Sequence, residues 1–266
     1  MSCTHSICKC DREDYWSGSV CLEKKPFNTS CSKNGECKIA FRCLNTKCKC
    51  LQTEVWDGIQ CTRKKEECED IQTNKDGVYT IYPGGGDRAV LVYCIMRQTK
   101  KWTVIQSRVN GSVDFYRTWN TYKNGFGSAY GEYRLGNDYI HLISTYSRHE
   151  LSIYMEKPNK EHRWGNYSTF SLADEISKYI LTVTGYTGNA GFDALDAPVG
   201  SGGNANGQAF STKDRDNDGD GSNNCAVVDK SVLWFNNCEY ADLNKPYSGH
   251  RVTCIGTCLE VTYRRV

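Results

Sequence analysis

The residues best suited to chemistry are four aspartates at alternate positions, Asp214, Asp216, Asp218 and Asp220. Oxygen ligands at alternate positions, with a glycine after the third, begin the Ca²⁺-binding loop of an EF-hand, and Gly219 fits that pattern. The twelfth position of such a loop is a bidentate glutamate, whereas here it is Cys225. No amphipathic helix leads into the run either. An EF-hand is therefore excluded, and the charge density predicts a hard cation held by a different scaffold.

Sixteen cysteines are the strongest feature of the composition, and eleven of them lie in the first 68 residues. Secreted small modules use cysteines as covalent staples, whereas reducing compartments keep them free or bind them to metal. Three glycosylation sequons agree with secretion, at Asn28, Asn110 and Asn166. The sequence therefore predicts a secreted, extracellular glycoprotein.

Charge and hydropathy exclude two further classes of protein. The 33 basic and 31 acidic residues nearly balance, so the sequence lacks the basic excess of a nucleic-acid or membrane-surface binder. No apolar run approaches the roughly 18 residues of a membrane-spanning helix, and the polar N-terminus lacks the core of a signal peptide. We expect the chain to be a fragment or a processed form of a longer protein.

The elements that must position the aspartates lie from residue 68 onwards, where cysteines become sparse. Short runs such as "GVYTIYP", "AVLVYC" and "KWTVIQSRV" are rich in β-branched and aromatic residues between turn signals, and they predict strands. Glycine-rich stretches such as "APVGSGGNANGQ" predict loops.

Six cysteines in the spacing C-x5-C-x5-C-x4-C-x-C-x10-C occupy residues 31–61. Spacing alone leaves 15 pairings open. The pattern resembles an EGF-like module, and the resemblance implies the pairs Cys31–Cys43, Cys37–Cys48 and Cys50–Cys61. So short a segment buries too little apolar surface to fold unaided, so each bridge is expected to add roughly 2–4 kcal/mol.

The first 22 residues repeat the second half of that spacing, with Cys3, Cys8, Cys10 and Cys21. Similarity to the module implies a Cys10–Cys21 disulfide and a partial module in which Cys3 and Cys8 lack partners. A local Cys3–Cys8 bridge is an alternative, and a zinc site is a weaker one given the extracellular features.

Several motifs from Cys68 onwards, among them "CEDIQTNKDGVYTIYP", "GEYRLGNDYIHLIST" and "FSTKDRDNDGDGSNNCAVV", occur in an order that resembles the fibrinogen-related domain. The family includes ficolins, tachylectins and the C-terminal domains of fibrinogen and tenascin chains. The resemblance implies an α+β fold around a twisted antiparallel sheet, with a calcium site and a ligand pocket on one face. We predict a partial EGF-like module over 1–22, an EGF-like module over 23–67 and a fibrinogen C-terminal-like domain over 68–266.

The same resemblance assigns the metal ligands. It implies Ca²⁺ bound by the carboxylates of Asp216 and Asp218 and by backbone carbonyls at Asp220 and Ser222. Oxygen ligands with some water suit Ca²⁺, while Mg²⁺ demands a tighter octahedron. The alternative is a solvated acidic loop without metal.

Two disulfides of the domain are implied by the resemblance, Cys68–Cys94 and Cys225–Cys238. Cys254 and Cys258 fall outside the four cysteines usual in the family, and a local bridge between them is the simplest expectation. The resemblance also implies a cis peptide bond between Asn237 and Cys238, which would cost roughly 3–4 kcal/mol.

The ligand pocket that the resemblance implies comprises six residues: Asp229, Trp234, Phe235, Asn237, Cys238 and Glu239. Acetyl-binding relatives have histidine at position 239 and an aromatic residue at position 229, whereas this chain has two carboxylates. An acetyl methyl needs an apolar cup, so carboxylates favour a cationic or polyhydroxyl ligand. Trp234 and Phe235 as core aromatics are the alternative.

Two functions follow from these features. The first is a calcium-dependent, lectin-like protein of innate immunity that binds glycans or acetylated surface groups. The second is a matrix or adhesion protein of tenascin-like layout that binds extracellular proteins. For either function, we expect any oligomer to form through regions outside this chain. No G-x-S-x-G or H-E-x-x-H motif is present, so we predict that the protein is not an enzyme.

Overall fold

The computed structural model describes residues 2–4, 7–156, 161–190, 193, 195, 204–238, 243–245 and 257–265, with the backbone alone described for 2–4, 7–8 and 257–265. Contacts within the chain define two compact units: Met1–Lys64 with Gly85–Asp87, and Lys65–Gly84 with Arg88–Val266. The three domain boundaries proposed from the sequence stay predictions. No helix in the described residues is long and apolar enough to cross a membrane.

The described residues of the N-terminal unit form short antiparallel hairpins. The strand pairs are β1 (Ser2–Thr4) with β2 (Ile7–Lys9), β3 (Asp14–Trp16) with β4 (Cys21–Glu23), β5 (Arg42–Leu44) with β6 (Lys47–Lys49), and β7 (Glu54–Trp56) with β8 (Cys61–Arg63). Cys3 lies opposite Cys8 in the register of β1 and β2. The side chains of these two cysteines lie outside the described residues, so their pairing stays a prediction.

Disulfides and a few aromatic rings form the core of this unit. The bonded pairs are those that the module resemblance implies: Cys10–Cys21, Cys31–Cys43, Cys37–Cys48 and Cys50–Cys61. The Phe27 and Trp56 rings stack with centroids 5.1 Å apart, and Phe41 meets Trp56 edge-on at 5.4 Å. Sulfurs bonded to one another are not thiolate ligands, so the zinc interpretation is wrong for Cys10 and Cys21. The EGF-like assignment stays a prediction.

The second unit is built on a sheet of nine antiparallel strands in the described residues. They are β9 (Gly77–Ile81), β10 (Val90–Met96), β11 (Lys101–Ser107), β12 (Gly125–Gly127), β13 (Tyr133–Leu135), β14 (His149–Glu156), β15 (His162–Leu172), β16 (Leu181–Gly188) and β17 (Thr257–Arg265). The order is β12-β13-β11-β17-β14-β15-β16, and β10 pairs with both β11 and β9. The last strand of the chain therefore lies between β11 and β14.

Three α-helices accompany the sheet in the described residues: α1 (Trp119–Asn124), α2 (Asn137–Ser144) and α3 (Cys225–Val228). In β14 every second residue, from His149 to Met155, is buried, because alternate side chains of a strand point to opposite faces. The Cys68–Cys94 disulfide ties the start of the unit to β10. Cys254 lies outside the described residues, as does the side chain of Cys258, so their bridge stays a prediction.

Candidate calcium loop and adjoining surface

The aspartate-rich segment 212–224 is a closed loop held by two asparagines, Asn224 at its end and Asn217 within it. The Asn224 side-chain amide donates to the carbonyl of Thr212 at 3.2 Å. Asn217 donates from its side-chain amide to the carbonyl of Phe210 at 2.9 Å, and its backbone N–H donates to Ser211 Oγ at 3.0 Å. These bonds satisfy backbone groups that no regular element pairs, and they fix where the aspartates lie.

Asp216 and Asp218 are the pair that the structure brings together. Their carboxylates lie within hydrogen-bonding reach of each other. Asp218 accepts backbone N–H groups from Asp220 at 2.9 Å and from Cys225 at 2.8 Å. Burial, and then the Asp216 carboxylate, raise the pKa of Asp218, although those two N–H groups act in the opposite direction. Two like charges close together, one of them partly desolvated, are stabilised by a divalent cation.

The other aspartates of the run are engaged in local structure. Asp214 accepts the Trp119 N–H at the start of α1 at 2.9 Å, and it also accepts the Thr212 hydroxyl at 2.7 Å. Asp220 accepts the Ser222 N–H at 2.9 Å and an amide hydrogen of Asn223 at 3.2 Å. Four alternating aspartates therefore supply two paired carboxylates. The residues present fit Ca²⁺, with Asp216 and Asp218 as charged ligands, and the ion would neutralise that pair.

Gly219 lets the loop approach the chain that follows it. Its N–H donates to the carbonyl of Asn236 at 2.7 Å, and an added Cβ would lie 2.3 Å from the same oxygen. No larger residue fits this contact without moving one of the two segments. The glycine between Asp218 and Asp220 is thus required by packing.

The Cys225–Cys238 disulfide connects the loop to the adjoining surface. Cys238 Sγ lies 3.5 Å from Asp220 Oδ2, so the bond lies beside the aspartate run. The cis peptide predicted between Asn237 and Cys238 is wrong, because no peptide bond among the described residues is cis. Cys238 instead has φ of 47°, and this left-handed conformation turns the chain while the peptide stays trans.

In the described residues, two groups of three side chains place potential metal-ligand atoms within 4.8 Å of one another. One comprises Asp220, Cys225 and Cys238, and another comprises Cys31, Cys37 and Cys48. All five cysteines are disulfide-bonded. Neither group offers a thiolate, so neither is a transition-metal site of the usual kind.

The predicted ligand-binding residues divide into buried and accessible sets. Trp234 is 8% exposed, donates its indole N–H to the carbonyl of Tyr179 at 2.7 Å, and packs against Phe210 with ring centroids 4.9 Å apart. Phe235 is 4% exposed. Both rings belong to the core, so their contact with a ligand stays a prediction.

Asn237 is exposed, while Cys238 and Asp229 are half-buried. The Asp229 carboxylate lies 3.7 Å from Lys245 Nζ, an ion pair that offsets the negative charge expected at this position. Glu239 lies outside the described residues. The accessible part of the predicted site is therefore polar in the residues that the structure describes.

Sequence reasoning missed the residues that hold the loop, Asn217 and Asn224. Asn224 precedes α3, and its side-chain oxygen accepts the Val227 N–H at 3.2 Å as a helix cap. Asparagine is a preferred N-cap residue, so the asparagine before "CAVV" indicates a helix cap from sequence alone. Asn217 has no such signal, because its partners Phe210 and Ser211 are defined by the folded loop.

Comparison with known proteins identifies the fold family. The sequence model described as "Fibrinogen beta and gamma chains, C-terminal globular domain" matches residues 63–256. The chain belongs to this family. The α+β fibrinogen-like fold predicted from the motifs is confirmed.

Two curated relatives are similar over most of this domain. Human microfibril-associated glycoprotein 4 is 39% identical over 192 residues, which are 69% of this chain and 72% of that protein. Human angiopoietin-related protein 7 is 40% identical over 174 residues, which are 64% of this chain and 48% of that protein. The relatives are extracellular matrix or secreted proteins.

Solved structures give the same family. The fibrinogen-like domain of human ANGPTL6 has a TM-score of 0.66 at 30% identity and covers 76% of this chain and 96% of its own. Lamprey fibrin D-dimer, in complex with the peptide Gly-His-Arg-Pro-amide, has a TM-score of 0.65 at 30% identity, with 75% and 72% covered. The fibrinogen-like domain is non-enzymatic in these proteins, and this protein is not an enzyme. Domains of this family can bind calcium.

Proposed function

We propose that the protein is a secreted matrix or adhesion protein whose fibrinogen-like domain binds an extracellular protein. The contact surface comprises the segment 229–238 and the loop 212–224, which calcium stabilises through Asp216 and Asp218. The observation that carries this proposal is the Cys225–Cys238 disulfide, which joins the paired aspartates to the exposed Asn237. An ion that orders the loop therefore also orders the surface beside it.

A protein partner is favoured over a glycan by the state of the aromatic residues. Sugar and acetyl recognition needs accessible apolar rings, whereas Trp234 and Phe235 are buried and the Trp234 indole N–H is already bonded within the core. Polar, partly exposed surface with one ion pair, Asp229 with Lys245, resembles the rim of a protein interface.

Similar proteins support the same class of ligand. The name of microfibril-associated glycoprotein 4 records an association with microfibrils, and the lamprey fibrin fragment was solved with a bound peptide. The cysteine-rich hairpins before the domain fit the tenascin-like layout proposed from the sequence.

Glycan recognition in innate immunity is the second candidate. Asn237 and Asp229 offer polar groups that suit the hydroxyls of a sugar. This candidate requires binding through polar groups alone among the described residues, because the aromatic cup of an acetyl site is buried.

Binding assays with the full chain separate the two candidates. The protein is applied to a panel of extracellular matrix proteins and to a glycan array, each with calcium and with EGTA. Calcium-dependent binding to a matrix protein, lost in Asn237→Arg and kept in Tyr130→Arg, supports the proposal; Tyr130 is 79% exposed on a turn between β12 and β13. Binding to sugars alone supports the second candidate. If both variants keep matrix binding, the proposed contact surface is wrong.

A further inference from the structure

One arginine in the sheet is buried without a negatively charged partner among the described residues. Arg134, in the middle of β13, is 4% exposed. Its Nη2 donates to Asn137 Oδ1 at 3.1 Å, and its Nε–H has no acceptor among the described residues. The guanidinium lies 6.0 Å from the centroid of the Trp234 ring. Desolvation by burial lowers the pKa of Arg134 to about 10, so the side chain stays positively charged at neutral pH.

Arg134 lines a small cavity in the core of the same unit. The cavity is about 20 Å³, and its other polar lining residues are Gln106 and Asn244. Aliphatic and aromatic side chains, among them Leu151 and Trp234, form the remaining walls. A cavity needs about 10–15 Å³ to hold a water molecule, so this one accommodates one water molecule or one monatomic ion. It is too small for phosphate, sulfate or a carboxylate carried on a larger ligand.

Among the residues that the structure describes, the groups near Arg134 do not supply the missing negative charge. Arg108, also buried, donates to the carbonyls of Leu243 at 3.2 Å and Lys245 at 2.6 Å. Gln106 donates to the same Leu243 carbonyl at 3.2 Å. The described contacts of both arginines are thus neutral oxygens and aromatic rings, and no carboxylate is within salt-bridge distance of either in the described residues. Two buried guanidinium groups therefore lie beside the segment 243–245 with no described carboxylate paired to either, and an unpaired buried charge is costly.

We propose that this cavity is a binding site for a single-atom anion, chloride in the extracellular fluid, held by the guanidinium of Arg134. A water molecule satisfies the Nε–H but leaves the charge, whereas a halide accepts the hydrogen bond and neutralises the cation. A halide is large and weakly hydrated, so it tolerates the apolar walls that the cavity also presents. The cavity has no wall in the loop 212–224, and Trp234 is the one described lining residue that belongs to the segment 229–238.

Thermal unfolding of the full chain tests the site in solution. Sodium chloride is exchanged for sodium gluconate at constant ionic strength, because gluconate is too large for the cavity. Anion binding stabilises only the folded state, so the wild-type melting temperature should be higher in chloride by roughly 2–4 °C when chloride is several-fold above its Kd. Arg134→Leu should lose this difference. Arg97→Leu removes a surface arginine that pairs with Asp76, and it should keep it.

A crystallographic measurement covers the case in which Arg134→Leu does not fold. Crystals of the wild-type protein grown in sodium bromide should show an anomalous peak within hydrogen-bonding distance of the Arg134 guanidinium. Equal melting temperatures in the two salts, together with no anomalous peak in the cavity, would overturn the proposal and leave a water molecule as the occupant. A chloride effect retained in a folded Arg134→Leu protein would overturn it as well.

Discussion

The Asp218 carboxylate accepts the backbone N–H of Cys225 at 2.8 Å, so a predicted calcium ligand is bonded directly to one end of the Cys225–Cys238 disulfide. The same carboxylate accepts the N–H of Asp220 at 2.9 Å. One side chain therefore orders the loop backbone through its own hydrogen bonds and faces Asp216, with which it would share the ion. Loop order and ion binding are coupled through this residue.

The first prediction concerns calcium. In the wild-type protein, calcium should raise the melting temperature relative to EGTA, with a stabilisation of about 2.7 kcal/mol when free calcium is roughly 100-fold above its Kd. Asp216→Asn combined with Asp218→Asn should abolish this shift, because two neutral amides lack the charge that the ion neutralises. Differential scanning calorimetry at several calcium concentrations measures it.

Asp220→Asn is the matched control for that experiment. Its side chain bonds to Ser222 and Asn223 within the loop, and the carbonyl that the family resemblance assigns to calcium is unchanged by the substitution. The calcium shift should persist in this variant. A full calcium shift in the double variant would move the metal site to other residues.

The second prediction separates packing from charge in the same loop. Gly219→Ala places a methyl group 2.3 Å from the carbonyl oxygen of Asn236, so the loop must move and lose its 2.7 Å hydrogen bond. We expect a loss of about 1–3 kcal/mol in the free energy of unfolding and weaker calcium binding. Gly221→Ala is the control, because a methyl group added there meets no atom within 4 Å, and its effect should stay within about 0.5 kcal/mol. Equal losses in the two variants would refute a packing role for Gly219.

Local sequence patterns were sufficient to predict several strands of this fold. The runs "GVYTIYP", "AVLVYC" and "KWTVIQSRV" correspond to β9, β10 and β11, since β-branched and aromatic residues between turns carry a short-range signal. The position of β17 between β11 and β14 was beyond such patterns. Strand order depends on pairing between segments more than a hundred residues apart, which composition does not encode.

The candidate site shows the same division. Residue types and spacing predicted a hard cation at the aspartate run, and the family resemblance assigned its carboxylate ligands to Asp216 and Asp218. They did not predict that Asp214 would instead accept the N–H of Trp119, because that contact joins segments 95 residues apart. Arg134 likewise reads in sequence as an ordinary surface charge of "GEYRLGN", and only the packing of β13 buries it.

The third prediction concerns Glu132, whose carboxylate organises the loop after β11. One oxygen accepts the N–H groups of Val109, Asn110 and Gly111 at 2.7–2.8 Å, and the other accepts the Val113 N–H at 2.8 Å. Glu132→Gln replaces one acceptor oxygen with a donor that faces N–H groups. We expect a loss of about 2–3 kcal/mol, measured as a lower urea midpoint at about pH 7.

The stabilisation by Glu132 should depend on pH. Burial acts to raise the pKa of Glu132, but the four backbone N–H bonds outweigh it, so the folded-state pKa lies below the ordinary 4.5. A carboxyl group with a depressed pKa stabilises the protein above the unfolded-state value and loses that effect as the pH falls through the folded-state value. The stability difference between wild type and Glu132→Gln should therefore shrink progressively as the pH is lowered below 4.5. The control is Asp114→Asn, an exposed carboxylate nearby that accepts one backbone N–H, from Tyr116 at 2.8 Å, and its loss of stability at about pH 7 should be smaller than that of Glu132→Gln.

The three glycosylation sequons differ in their structural settings. Asn28 and Asn110 are exposed, and Asn110 lies in the loop that Glu132 holds. Asn166 lies inside β15, opposite Ser152 of β14 and Thr187 of β16, and its side-chain oxygen is buried. Side chains of a strand project from the faces of the sheet, and that of Asn166 is half-buried there, so a glycan on it would meet neighbouring side chains.

The fourth prediction follows from those settings. When the full chain is expressed behind a secretory signal, Asn28→Gln and Asn110→Gln should each remove one glycan, seen as one step in intact mass that peptide N-glycosidase F also removes. Asn166→Gln should leave the glycan mass of the secreted protein unchanged, because the half-buried side chain of Asn166 leaves little room for a glycan. Mass spectrometry of peptides from the secreted, folded protein checks this directly. A glycopeptide containing Asn166 in that fraction would contradict the burial of this side chain.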